Sequence, residues 1–425
     1  MKKLVTLTLA CLLGLTLAGC GSSGGDDSDK TVLTFWGHQN EPWNDSYKKT
    51  AKAFEKKNPD IKINFEFFPY DQFESKVQTS LISKKGGADI YELWGGWAID
   101  FASTGALAEM PEDFTKSVRE NDYPSTYGAL EYDGKLFGMP LEFNIENGAM
   151  LVNNTIMKEK GLTVPKTWQE LRETAKNATT MDGDTMKIKG FDFVNWDSVP
   201  YTFLSMILSQ GGNYQKEDGT FNLQTPEAHN ALQELYDMVK VDKVTNMEGL
   251  DGGGELEGYQ QLYAGKVAMV PRGPWTISEG TQSFGLKYDK DFSYVSMPWY
   301  GEKVAFANET GWSLAVNANS KKQKAAIKFL KYMFQDDVLL QHNIDCTQIS
   351  AKKSVNQDPK FLEKMPYAEP LIGILDNSQF IGLFNTDQFK ETVNNTFSSL
   401  VAGKIGSTDE ALATMEQKLN KILEK

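Results

Sequence analysis

Cysteine and histidine are scarce, with three of each in 425 residues. That is too few for a disulfide-dense scaffold or a four-cysteine zinc site, and it argues against a multi-histidine metal centre. Enzyme signatures are missing as well. There is no Gly-x-Ser-x-Gly elbow, no His-Glu-x-x-His helix and no phosphate loop ending in Gly-Lys-Ser/Thr. Gly252, Gly254 and Gly258 have the wrong spacing for a dinucleotide fingerprint. Asp182-Gly183-Asp184 lacks the further ligands of a calcium loop and reads as a solvated turn. Two distant carboxylates could converge as a glycosidase pair, but nothing selects such a pair, so neither an enzyme nor a cofactor is expected. Positive charge is also short: the net charge of -13 disfavours nucleic acid as a partner. With 40% hydrophobic residues a large core is available, and at about 150 residues per domain the chain is long enough for two or three domains.

The first residues read as an address. Lys2 and Lys3 precede the apolar run Leu4 to Ala18, which is short for a spanning helix and ends in Leu17-Ala18-Gly19-Cys20. This resembles a bacterial lipoprotein signal, in which residues 1–19 are removed and Cys20 becomes the lipidated first residue, palmitate among its acyl chains. Residues 20–30, rich in Gly, Ser and Asp, are expected to be a flexible tether. The expected location is the cell surface, anchored through Cys20 to the bacterial membrane. Cys346 is then the one remaining thiol and reads as a small buried apolar group. His229 and His342 read as ordinary hydrogen-bonding side chains.

Beyond the tether, strands and helices alternate. Thr31 to Trp36 is β-branched and apolar, and Ile61 to Phe67 alternates apolar with polar. Between them a helical pattern spans Trp43 to Phe54 and stops before Asn58-Pro59. Ala88 to Tyr91 and Lys266 to Val270 read as further strands. Helix starts are predicted at Asp71/Glu74, Thr167/Glu170, Thr225-Pro226, Ser320/Gln323 and Ser407/Glu410. Gly252 to Gly254 punctuates a loop, and the turn chemistry of Asp133 to Pro140 suits a boundary. This succession implies an α/β fold whose lobes carry helices on a largely parallel sheet.

Tryptophans recur beside glycine or at strand ends: Trp36, Trp94 and Trp97 in Leu93-Trp94-Gly95-Gly96-Trp97, Trp275 after Arg272-Gly273-Pro274, and Trp312 after Gly311. Glycine lets backbone approach an indole and leaves a ring face for a ligand. Pyranose C–H faces stack on indoles, and their hydroxyls need fixed partners. Glu92, Glu142, Asn144, Glu146 and Arg272 are candidate partners, since one carboxylate accepts two hydroxyl hydrogen bonds. His38 follows the first strand, where it could face a ligand or simply occupy an exposed loop.

Several stretches together resemble the family 1 extracellular solute-binding proteins of ABC importers, which include the maltose-binding-like proteins. They are Val32 to Trp36, Phe54 to Ile63, Gly87-Ala88-Asp89-Ile90, Asp133 to Pro140, Leu151-Val152-Asn153-Asn154, Pro165-Lys166-Thr167-Trp168, Tyr263 to Met269, Gly311 to Val316 and Ala325 to Leu330. The resemblance implies a two-lobed periplasmic-binding-protein-like fold of type II with several hinge crossings. Lobe one would hold 31–139 and 306–338, lobe two 140–305 and 339–425. Ligand contacts would fall on Trp36 and His38, Trp94 and Trp97, Glu142 and Asn144, Arg272 and Trp275, and Gly311 and Trp312. Asp345 is a further candidate in a late segment that departs from the family pattern. The implied function is capture of a neutral mono- or oligosaccharide by a monomer and its delivery to ABC permease membrane subunits. Glycerol phosphate, a polyamine or a peptide are the competing solutes, and a sensory or adhesive surface lipoprotein is the competing role.

Overall fold

The computed structural model describes residues 30–83, 87–250 and 256–424. The leader, Cys20 and the Gly252–Gly254 loop lie outside those residues, as does the Asp71 side chain of the expected capping box. In chain order the strands are β1 (Thr31–His38), β2 (Ile61–Phe68), β3 (Ile90–Trp94), β4 (Glu131–Tyr132), β5 (Lys135–Leu136), β6 (Met139–Pro140), β7 (Ala149–Asn153), β8 (Thr180–Asp182), β9 (Thr185–Phe191), β10 (Val267–Pro271), β11 (Phe292–Ser296), β12 (Phe306–Asn308), β13 (Trp312–Val316) and β14 (Ser378–Phe380). Two five-stranded sheets result, ordered β2-β1-β3-β13-β6 and β11-β7-β10-β9-β8. The chain passes from the first to the second between Pro140 and Ala149 and returns between Ser296 and Trp312.

Local chemistry accounts for the elements. In β2, Ile61 and Ile63 point inward while Lys62 and Asn64 face water. The helix Glu41–Lys57 starts where the Asn40 side chain accepts the Trp43 N–H, and it buries Trp43, Tyr47, Ala51 and Phe54 at three- and four-residue spacing. Burying each large side chain contributes about 1.5–3 kcal/mol. The side chains of Thr167, Thr225 and Ser407 cap their helices as the spacing predicts. Ser320 stands just outside its helix: Gln323–Met333 has Lys322 as its N-cap without a side-chain bond, and the Ser320 oxygen accepts the Lys322 N–H while its hydroxyl donates to Asp89.

The sheets are mixed rather than largely parallel. In the first, β1 pairs in parallel with β2 and β3, but β13 runs antiparallel to β3 and β6. In the second, only β10 and β9 are parallel. A strand re-entering a sheet from the opposite body arrives at the end where the others leave, which forces the antiparallel pairing. The second sheet is covered on both faces. Leu151, Val270 and Tyr294 continue the core of the first sheet, whereas Met150, Val152 and Met269 join the core of the helices Ser198–Ser209, Pro226–Lys240, Asp387–Val401 and Thr408–Leu423. The helix Asp336–Asp345 runs across residue 338 and packs on Glu41–Lys57 and Gln323–Met333. Cys346 is a buried free thiol, and His342 is buried against Ser46.

Candidate functional site

Parallel strands present their carboxyl ends to the crevice beside a sheet. β1 ends there in His38, β3 in Trp94, β6 in Pro140, and β10 in Pro271 followed by Arg272. Antiparallel β13 begins there, so Trp312 lies directly across from Trp94. The 141–148 crossing supplies Glu142, Asn144 and Glu146. These pieces close around an inner cavity of about 410 Å³, which opens into an outer one of about 640 Å³.

On the first-sheet side His38 stacks on Trp312, with ring centres 4.3 Å apart and planes at 16°. Its Nδ1 lies 2.7 Å from Glu92 Oε2, which also accepts the His38 backbone N–H, while Tyr47 donates to Oε1 at 2.7 Å. Glu92 is fully buried and orients His38 from behind. A Cβ on Gly37 would lie 2.9 Å from Glu92 Oε2, so a glycine keeps this packing. Trp97, Trp43 and Tyr70 surround the Trp312 ring.

The other indoles are held by buried carboxylates. Trp94 donates to Glu309 Oε2 at 3.0 Å, and Glu309 also accepts from Tyr201 at 2.6 Å and Asn144 at 2.8 Å. Trp275 donates to Glu146 Oε1 at 3.0 Å, and the Gly273 N–H meets Oε2. The neighbouring glycines have a definite purpose. A Cβ on Gly96 would overlap the Trp94 ring, and one on Gly273 would lie 2.7 Å from Trp275. Gly311 serves in the same way, because its Cβ would stand 2.6 Å from Glu142 Oε1, the acceptor of the Trp312 backbone N–H.

Charge is concentrated here. Asp197 joins Lys390 at 2.7 Å and Arg272 at 3.3 Å; Arg272 also meets Glu257 at 2.6 Å. Both cations cover indoles: the Lys390 ammonium sits 4.2 Å from the Trp94 ring centre, and the Arg272 guanidinium 5.6 Å from that of Trp275. Burial alone would raise the Asp197 carboxyl, but Lys390 and Arg272 outweigh it and hold it below its ordinary range. Among the described residues no cation pairs with Glu142. Burial, then the nearby charges of Glu309, Glu146 and Glu92, push it up to about 8 despite the Trp312 N–H. Burial pushes Glu309 up to about 7, with Lys390 opposing.

Of the residues singled out from sequence, His38, Trp94, Glu142, Asn144, Glu146, Arg272, Trp275 and Trp312 line the inner cavity, and Trp97 the outer one. Glu92 and Gly311 pack behind it. Trp36 and Asp345 are not brought there. Trp36 lies mid-strand, edge-on to Phe68 and Tyr91, facing a groove along the helix Tyr70–Ser83. Asp345 ends its helix, bonded to Lys49 and Gln341. Sequence reading missed Trp43, Tyr70, Asp197, Tyr259, Glu309, Gln348 and Lys390. Lys390 left a signal, a lysine beside Phe389 on the buried stripe that continues through Val393 and Phe397.

Comparison with known proteins gives a consistent relationship. The family profile described as bacterial extracellular solute-binding protein matches residues 40–338. A binding protein of Brucella abortus is 25% identical over 424 residues, 97% of this chain and 98% of that one. Among solved structures, a solute-binding protein of Thermotoga lettingae bound with α-D-tagatose superposes with a TM-score of 0.76 at 21% identity, covering 93% of this chain and 100% of that chain. A substrate-binding protein of Listeria monocytogenes in complex with cycloalternan gives 0.73 at 22% identity, with the same coverage. At these identities the two structures establish a shared fold.

Proposed function

The chain belongs to the bacterial extracellular solute-binding protein family, and from that premise we propose that its cleft captures a neutral mono- or oligosaccharide and delivers it to the membrane subunits of an ABC-type permease. The family is non-catalytic, so the ligand leaves unchanged. The observation that carries the sugar assignment is the gathering of Trp94, Trp312 and Trp275 around one cavity whose wall also holds the buried polar side chains Glu142, Asn144, Glu146 and Gln348, with Arg272 and Lys390 paired to Asp197. Indoles suit the C–H faces of a pyranose, and the carboxylates accept from its hydroxyls. The sugars held by the T. lettingae and L. monocytogenes proteins support the same reading. An anion such as glycerol phosphate fits poorly, because Arg272 and Lys390 are already engaged by Asp197.

Ligand contacts from both sides favour a closed cleft through their differential affinity for it, and docking on the permease would reopen it. The two lobes are proposed to be 31–139 with 306–338 and 140–305 with 339–425. The packing of Asp336–Asp345 supports extending the first lobe through that helix. Anchoring through a lipid on Cys20 completes the reading; among the described residues no helix is long and apolar enough to cross a membrane. Isothermal titration of the folded protein against neutral mono- and oligosaccharides, glycerol phosphate and spermidine tests the assignment. Saturable heat is expected for a sugar alone; saturation only by the phosphate or the amine would replace it.

A further inference from the structure

We propose that the cognate ligand is an oligosaccharide of at least two units, with the outer unit stacked on Trp196 at the cleft mouth; this rests on the carbohydrate reading above. The inner and outer cavities share the walls Tyr70, Trp94, Asp197, Arg272 and Lys390, so one ligand can run through both. Trp196 lines the outer cavity and not the inner one. It is the most exposed of the tryptophans. Trp43, Trp94, Trp97 and Trp168 are buried, whereas Trp196 is 38% exposed and Tyr70 59%. An exposed indole on a cavity wall offers a flat apolar face on which a ligand can stack.

The exposed indole is nonetheless carried on a fixed backbone. Asn195 Oδ1 accepts the N–H groups of Asp197 and Ser198 at 3.1 and 2.8 Å, and Asn394 Nδ2 donates to the Trp196 carbonyl at 2.9 Å. Such anchoring lowers the ordering cost of stacking a ligand there. The two rings also come from opposite bodies. Tyr70 opens a helix beside the first sheet, and Trp196 precedes the helix Ser198–Ser209 of the second core. Among the described residues no ring stacking pairs the two; Tyr70 leans on Trp97 and Trp312. A second sugar unit leaving the inner cavity past Lys390 therefore meets one aromatic on each side of the mouth.

The test is titration of the wild type, Trp196→Ala and Trp196→Phe with glucose, mannose, galactose, xylose and arabinose and with the linked di- and trisaccharides of each. In the series that binds, wild-type affinity is expected to rise about tenfold or more from the single sugar to its oligomers. Trp196→Ala is expected to remove most of that gain while leaving single-sugar affinity and the unfolding temperature unchanged, and Trp196→Phe to retain part of it. Equal wild-type affinity for a sugar and its oligomers overturns the length assignment and leaves sugar capture standing. A gain that survives in Trp196→Ala removes Trp196 as the outer platform. No saturable binding by any of these sugars overturns this inference together with the reading beneath it.

Discussion

Glu142 is a side chain whose environment is at odds with its charge. It is buried to 1% exposure, and among the described residues its Oε2 finds no partner and no cation pairs with it. With the carboxyl raised to about 8, and Glu309 to about 7, the folded chain keeps protons that the unfolded chain has released above pH ~5. Folding is then favoured on the acid side, and stability is lost as pH rises from about 5 through 8. Glu142→Gln removes its share of that slope, up to about 1.4 kcal/mol per pH unit. Urea unfolding at pH 5, 6.5 and 8 reads the change; an unaltered slope would mean that Glu142 titrates normally. Trp275 sits differently, half-buried with its N–H on Glu146. Trp275→Ala is expected to weaken sugar binding by about tenfold or more with a much smaller effect on stability. Equal affinity in the folded variant would remove this indole from the platform. Which side chains face the cleft was only partly legible. Trp94, Trp275 and Trp312 announce themselves beside glycines, but Trp36 carries a similar position at a strand and stays mid-strand. Glu309, Asp197 and Lys390 converge from segments far apart in the chain, and no local pattern marks their meeting.

Strands and helices follow local rules closely, and their assembly does not. The alternation in β2 and the caps at Thr167, Thr225 and Ser407 are short-range chemistry, visible in a few residues. The insertion of β13 between β3 and β6 is long-range and reverses the expected parallel order. Ser320 joins the two ranges in one residue: its hydroxyl donates to a distant carboxylate, Asp89, while its oxygen accepts the Lys322 N–H just ahead of the helix. The helix Gly95–Ser103 depends on close approach as well. Gly96→Ala would drive a methyl into the Trp94 ring, displacing it from Glu309. A loss of about 1–3 kcal/mol is expected by denaturant titration, as for other overpacked sites. A variant as stable as the wild type would show that the ring can move freely.

For the protein as one body, the resemblance visible in its ordered motifs extends to family membership and to the two-sheet α/β architecture, while solute choice depends on a cleft whose walls come from both cores. Binding that engages only the folded chain raises its stability, by about 2.7 kcal/mol at a ligand concentration one hundred times Kd. Differential scanning calorimetry with saturating sugar should therefore show a rise in unfolding temperature, and an unchanged midpoint with a sugar that titrates saturably would indicate that unfolded chain binds it equally. The most direct measurement is a crystal structure of the sugar-saturated protein. The expected result is a pyranose face in van der Waals contact with Trp275 or Trp312, its hydroxyls on Glu142, Asn144 or Glu146, enclosed between the two sheets. A sugar bound on another surface, with these indoles untouched, would contradict the assignment.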